Sequence, residues 1–340
     1  MSTRWLAETL DDAFIRLAIR PTLPVLDSTS PLTRLRLAEA RTQGEIVDDC
    51  LFAHSPLPEV QVTRVPSLQR GVRVESRSWA APPVPLESEW GLGSVEPRVV
   101  QTEWYARSSE RPLLVAISGW MPIHAIASRV LWPLTHLDDL GFDVVIPRLP
   151  TRAAAGDNTR RVGFPSADPC GNVIEVARSI VALRQTLAHA AELGYEKVVV
   201  WGASLGGYIA ALLGTLAPTG FSGLVLEKPL ARLSDPLRLH GRGPNAERQS
   251  VALRLDGVYR AVSPLERQPQ VPSSQVHVIG ARYDRVTQFE NAERLAAHFN
   301  GSLETVSASH FYDLERTERF APCLWRLVNR SGYVKTSNAR

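Results

Sequence analysis

The feature of this sequence that most narrows its fold is a series of short, unbroken apolar runs separated by helical stretches. The runs lie at residues 113–117, 144–146, 198–201, 224–226 and, around His277, 276–279, and a last strand is expected near 303–306. A strand with one covered face alternates apolar and polar residues, whereas a strand buried on both faces reads as a continuous apolar run. Such runs with helices between them predict a parallel sheet covered on both sides by crossover helices. Residues 174–193 form one predicted helix, stopped by Gly194. Another lies within 282–299 and starts after Asp284. Residues 99–105 read as an antiparallel strand ahead of the parallel set.

Two regions depart from this alternation. Residues 1 to about 70 read as a helical preamble: Leu10, Phe14, Leu17 and Ala18 recur at helical spacing, and Leu35 and Ala38 begin a second such pattern. Pro21 and Pro24 break the first helix, and Ala80-Ala81-Pro82-Pro83-Val84-Pro85 reads as a linker. Residues 228–270 are rich in Arg, Pro and Gly with one helical piece, as expected of a cap inserted over the sheet. The predicted organisation is an N-terminal extension with the first strands (1–97), a core (98–227 and 265–330) and a cap (228–264).

Composition excludes several other classes. Hydrophobic residues make up 44% of the 340 and charged residues 21%, enough apolar content for a large core. The net charge of +3 is too small to argue for a nucleic-acid partner, and no basic run is interleaved with aromatics. The three cysteines, Cys50, Cys170 and Cys323, are too few and too far apart for a disulfide framework or a metal site. Asp11 and Asp12 come early and no long apolar run precedes them, so no signal peptide is expected. Nor does any stretch approach the roughly 18 apolar residues of a membrane span. A cytoplasmic protein without a cofactor is the expectation.

The chemistry is carried by Gly202-Ala203-Ser204-Leu205-Gly206-Gly207, between a buried strand and a helix expected at 208–216. A turn this tight needs small neighbours, and it exposes the serine hydroxyl at the C-terminal edge of the sheet, where open α/β sheets bind ligands. Serine needs a base. Of the eight histidines, His310 alone follows the last strand onto that same edge; His277 falls in a strand, and His189 and His298 in helices, His189 being read as solvated. Asp284, after the preceding strand, is placed to orient the imidazole; it is also a candidate cap for the next helix, and Asp313 is the alternative acid. An oxyanion needs two converging donors. These are expected to be the N–H of Leu205 and a backbone N–H from Ser118-Gly119-Trp120-Met121, with Trp120 the first choice and Met121 the second. His124 and His240 are candidate pocket residues. The arginines of the cap (Arg232, Arg238, Arg242, Arg248, Arg254) either recognise an anionic substrate or form a solvated surface.

In this order, Ser118-Gly119-Trp120, Gly202 to Gly207, Asp284 and Ser309-His310-Phe311 resemble the α/β-hydrolase superfamily over about residues 99–327. Within it, the helical preamble, Phe164-Pro165-Ser166-Ala167-Asp168-Pro169 and the doubled glycine are similar to the group described as alpha/beta-hydrolase domain-containing protein eighteen and its relatives. One departure is Ser118 where the superfamily commonly has His before the oxyanion-loop glycine. The resemblance implies a small-molecule acyl substrate: an ester, thioester or amide cleaved through an acyl-enzyme without a cofactor. An acyltransferase with the same residues, or a catalytically silent protein that binds a small molecule or a partner, are the alternatives.

Overall fold

Alternate residues of the central strands feed two separate apolar layers, and this fixes the architecture. Leu113, Val115, Ile117, Val198 and Val200 point into one cluster; Leu114, Ala116, Val199 and Trp201 point into the other. Successive side chains of a strand face opposite sides, so a strand apolar at every position must be covered on both.

The computed structural model describes residues 3–20, 23, 29–43, 46, 48–52, 57–67, 71–90, 98–119, 131–148, 164–217 and 220–330. The chain begins with α1 (Thr3–Phe14), which continues through a wider helical turn at Ile15–Ile19, then α2 (Thr29–Arg41) and α3 (Asp48–Phe52). There follow β1 (Gln61–Val65), β2 (Arg73–Ala81), α4 (Pro85–Glu89), β3 (Arg98–Ala106), β4 (Leu113–Ile117), α5 (Leu134–Asp139) and β5 (Asp143–Arg148). The second half contains α6 (Pro169–Glu192), β6 (Val198–Ala203), α7 (Leu205–Leu213), β7 (Gly223–Glu227), α8 (Asp235–His240) and α9 (Asn245–Val258). It ends with β8 (Val276–Ala281), α10 (Phe289–Phe299), β9 (Ser302–Val306) and α11 (Arg316–Arg330).

The strands form one nine-stranded sheet in the order β1-β2-β3-β5-β4-β6-β7-β8-β9. β1, β2 and β3 are antiparallel, as is the β3–β5 pair, and every pairing from β5 to β9 is parallel. Residues of α6, α7, α9 and α10 pack in one apolar layer and those of α5 and α11 in the other. β4 lies between β5 and β6, so the chain reverses its direction of travel across the sheet there. That switch opens a crevice at the C-terminal ends of β4 and β6.

Several expectations are corrected. The region read as a helical preamble also contains β1, and β2 takes in Ala80 and Ala81, which shortens the linker to 82–84. The first strands expected within 1–97 could not be given bounds from the sequence, because β1 is an edge strand exposed at four of its five positions, without an apolar run. α6 starts five residues earlier than expected, at Pro169, and α7 starts at Leu205 and ends at Leu213. His189 is buried, not solvated: its ring stands beside those of Trp79 and Trp104, and its Nε2 is 2.6 Å from an Arg77 guanidinium nitrogen. In α1 the face differs. Leu10 and Leu17 are exposed, whereas Ala7, Asp11, Ile15 and Ile19 form the buried stripe. Among the described residues no helix is long and apolar enough to cross a membrane.

At the end of β7 a buried ion pair anchors α11 to the sheet. Arg316 donates from Nε to Glu227 Oε1 (2.6 Å) and from a terminal nitrogen to Oε2 (2.8 Å), and Trp201 Nε1 donates to Oε2 (2.9 Å). Burial alone would raise the Glu227 carboxyl; the charge and hydrogen bonds of Arg316 outweigh it and hold it at about 2. Breaking such a pair from one side leaves a charge buried and unpaired. Arg316→Met is expected to lower the unfolding free energy in urea by about 3–5 kcal/mol. Adding Glu227→Gln to that variant should recover part of the loss.

Candidate active site

Ser204 stands between β6 and α7 with φ 56° and ψ −120°. Such a backbone costs a non-glycine residue of the order of 1–3 kcal/mol and persists only where its surroundings over-determine it. Two hydrogen bonds to the β7 side hold it: Ser204 N donates to Glu227 O (2.9 Å), and Leu230 N donates to Ser204 O (3.1 Å). Close packing completes the turn. A Cβ on Gly206 would lie 2.3 Å from the carbonyl oxygen of Ile117, so only glycine lets α7 start this near β4.

The three residues singled out by type and chain order meet here. The Ser204 hydroxyl lies 3.1 Å from His310 Nε2, and His310 Nδ1 lies 2.8 Å from Asp284 Oδ2. The carboxylate only accepts, so Nδ1 carries the ring proton and Nε2 faces the serine as acceptor. Asp284 also accepts from Val286 N (2.8 Å), Thr287 N (2.9 Å) and the Thr287 hydroxyl (2.8 Å). Burial would raise its carboxyl; the charge and hydrogen bond of His310, with the Thr287 donors, hold it down at about 2. The helix after Asp284 starts only at Phe289, with Gln288 in the capping position, so Asp284 organises the turn before the helix and does not cap it. Asp313 is directed elsewhere: it pairs with Lys228 at 3.0 Å and with Arg319.

The oxyanion side is partly described. Leu205 is the first residue of α7, so its N–H has no intrahelical partner. Gly119 leaves β4 against the serine; a Cβ there would lie 2.8 Å from Ser204 Cβ. Trp120, Met121 and His124 lie outside the described residues.

A cavity opens beside Ser204 and Leu205, with about 1030 Å³ of space including its mouth. Residues from the β7–β8 connection form one wall (Leu230, Leu233, Leu237, Val251, Leu255, Tyr259). The N-terminal segment supplies another through Phe14, Ile19, Leu23 and Leu35, a contribution not read from the sequence. None of the five cap arginines lines it. Arg232 and Arg238 pair with Asp256, Arg254 pairs with Glu39, Arg248 donates to Gly243 O and Asn245, and Arg242 is exposed. The anionic-substrate reading of these arginines therefore falls. His240 also stands outside the cavity wall. Its Nε2 lies 2.9 Å from Val286 O, and burial pushes the imidazole below its ordinary range, so the neutral ring donates to the turn that carries Asp284.

Sequence reasoning also missed two neighbours of His310. Lys228 Nζ donates to its carbonyl oxygen at 3.3 Å. Asp11 of α1, fully buried, accepts from its backbone N–H at 3.1 Å. The available signal for Asp11 was a carboxylate four residues from Ala7 and from Ile15 in an otherwise apolar stripe. Among the described residues no group of three or more His, Cys, Asp or Glu side chains is placed to hold a metal ion.

No family model matches the chain and no curated protein matches it. Its structure is similar to an acetyl xylan esterase from Paenibacillus sp. R4 at 12% identity and TM-score 0.54, over 92% of this chain and 98% of that one. It is also similar to acetyl xylan esterase 1 from Thermoanaerobacterium sp. JW/SL YS485 at 12% identity and TM-score 0.52, over 93% and 98%. At this identity the likeness is one of fold, and with the sheet order above it shows the α/β-hydrolase fold.

Both buried carboxyls, Asp284 and Glu227, sit at about 2, below their ordinary 3.8 and 4.5. A carboxyl held low in the folded state contributes stability above its unfolded pKa and loses it as pH falls toward the folded value. The unfolding free energy should therefore fall between pH about 4.5 and about 2, and Asp284→Asn should flatten the lower part of that decline in urea titrations.

Proposed function

We propose that this protein is a serine hydrolase that cleaves carboxylic esters through an acyl-enzyme. One observation carries the reading: a strained, half-buried serine at the head of a Ser204–His310–Asp284 hydrogen-bond chain, opening onto an apolar cavity. Ser204 Oγ attacks the carbonyl carbon while its proton passes to His310 Nε2. Asp284 stabilises the imidazolium that forms and keeps Nδ1 protonated. The Leu205 N–H and a backbone donor from the loop after Gly119, Trp120 first and Met121 second, receive the charge on the carbonyl oxygen. Collapse of the tetrahedral intermediate breaks the ester C–O bond, and the leaving alkoxide takes the proton from Nε2. Water then adds to the acyl-enzyme, giving its proton to Nε2, and the acid leaves as Ser204 regains its hydrogen.

The aliphatic cavity wall suits the acyl side of the substrate, which needs no partner for charge. Residues 228–264 act as the cap, since they supply much of that wall. A place beside alpha/beta-hydrolase domain-containing protein eighteen is supported by the helical preamble, the 164–169 segment and the doubled glycine.

A fluorophosphonate probe should label Ser204, and p-nitrophenyl esters of increasing acyl length should be cleaved. Ser204→Ala and His310→Ala should each remove activity almost wholly, and the double change should add little, since the two act as a unit. Asp284→Asn should lower kcat by on the order of a thousandfold or more, and Asp313→Asn far less. An absence of labelling and turnover in the unaltered protein would replace the enzyme by a binding protein of the same fold. Narrowing the cavity with Leu233→Trp should move the preferred acyl length toward shorter chains, read as kcat/KM across the ester series.

A further inference from the structure

We infer that Asp11 is a positioning residue that sets His310 in register with Asp284 from outside the sheet; the inference rests on the ester-hydrolase reading above. Its carboxylate is fully buried, in the middle of the apolar stripe of α1. Oδ2 accepts from the backbone N–H of His310 (3.1 Å) and from that of Arg285 (3.0 Å). Oδ1 accepts from the Ser309 hydroxyl (3.0 Å) and from Phe311 N (3.3 Å). One oxygen thus joins the backbone of the base itself to that of the residue after the acid. The two loops belong to different strand ends, β9 and β8, and their side chains must meet within 2.8 Å.

The four donors suit a carboxylate and no neutral replacement. An ionised carboxyl accepts on both oxygens, while an amide accepts on one and presents an N–H₂ on the other. Asp11→Asn would aim a donor at two of these four donors. Other contacts to the two loops leave Asp11 a specific task. Lys228 Nζ, paired with Asp313, bonds the His310 carbonyl, and Tyr283 N donates to Ala308 O, but neither reaches the N–H of His310 or of Arg285. Phe14 of α1 packs edge-on against Phe311, with ring centroids 4.5 Å apart, which seats the same helix on the far side of the base. Asp12, next in the chain, faces outward and pairs with the Arg285 side chain at 3.1 Å.

A misplacement of the base by about 1 Å is worth as much as a hundredfold in rate. Asp11→Asn is therefore expected to lower kcat, counted per serine titratable by fluorophosphonate, on the order of tenfold to a hundredfold with KM nearly unchanged. The low-field proton resonance of His310 Nδ1–H, present in the unaltered protein and absent in His310→Ala, should broaden or vanish. Asp12→Asn should leave both readouts unchanged. Ser309→Ala, which removes one of the four donors, should give a smaller loss of kcat in the same direction and decides the matter if Asp11→Asn does not fold. A merely structural role would lower the melting temperature and the titratable fraction but leave kcat per titrated serine and the resonance intact, and that result overturns the inference. If the unaltered protein neither reacts with the probe nor cleaves esters, the functional reading fails, yet the resonance still reports whether Asp11 sets the His310–Asp284 contact.

Discussion

Everything at the candidate site depends on the backbone of one residue. Ser204 is held at φ 56° where an L-residue is unfavourable, and the rest of the sheet supplies what keeps it there. β7 accepts its N–H and the chain beyond β7 donates to its carbonyl. The β4 carbonyls press so closely that only glycine fits behind it. The Glu227 whose carbonyl takes the serine N–H is itself fixed through its side chain by Arg316 and Trp201. The strain at the serine is thus opposed by a buried charge pair, an aromatic N–H and the helix that closes the opposite face.

The parallel half of the sheet and the Ser204, His310 and Asp284 positions were legible because each is written locally. Apolar runs at 113–117 and 198–201 mark doubly covered strands, and the small residues around Ser204 mark a turn with no room for side chains. Of the antiparallel half only β3 was legible, as the strand expected at 99–105; β1 and β2 were not. β1 has four exposed residues of five, and its existence is decided by register with β2, not by its own pattern. The buried face of α1 was misread for a similar reason. Hydrophobicity favours Leu10 and Leu17, but hydrogen bonds to a loop some three hundred residues away turn Asp11 inward and those leucines out. His189 and His240 were misjudged because the groups that enclose them come from distant strands and loops.

The N-terminal segment therefore acts as part of the site. α1 and α2 bring Phe14, Ile19 and Leu35 to the cavity wall, facing residues from the β7–β8 connection across it. An apolar chamber with walls from the N-terminal segment and from the β7–β8 connection changes shape when either segment changes. The choice of what enters it is separated from the Ser204–His310–Asp284 arrangement, which the central strands position. Two proteins with the same sheet can accordingly differ in substrate through segments that contribute no strand.

The hydrogen bond between Asp11 and His310 joins positions 299 apart in sequence. Contacts of such separation form late, because the loop they close is long. During synthesis α1 emerges well before its partner loop, so the stripe of Ala7, Ile15 and Ile19 must wait for that surface to cover it. A polar residue within that stripe makes the waiting helix less adhesive than a fully apolar one. The residue that completes the docked helix is also the one that tempers it beforehand, and the serine meets a fully supported base only once the His310 loop has joined α1.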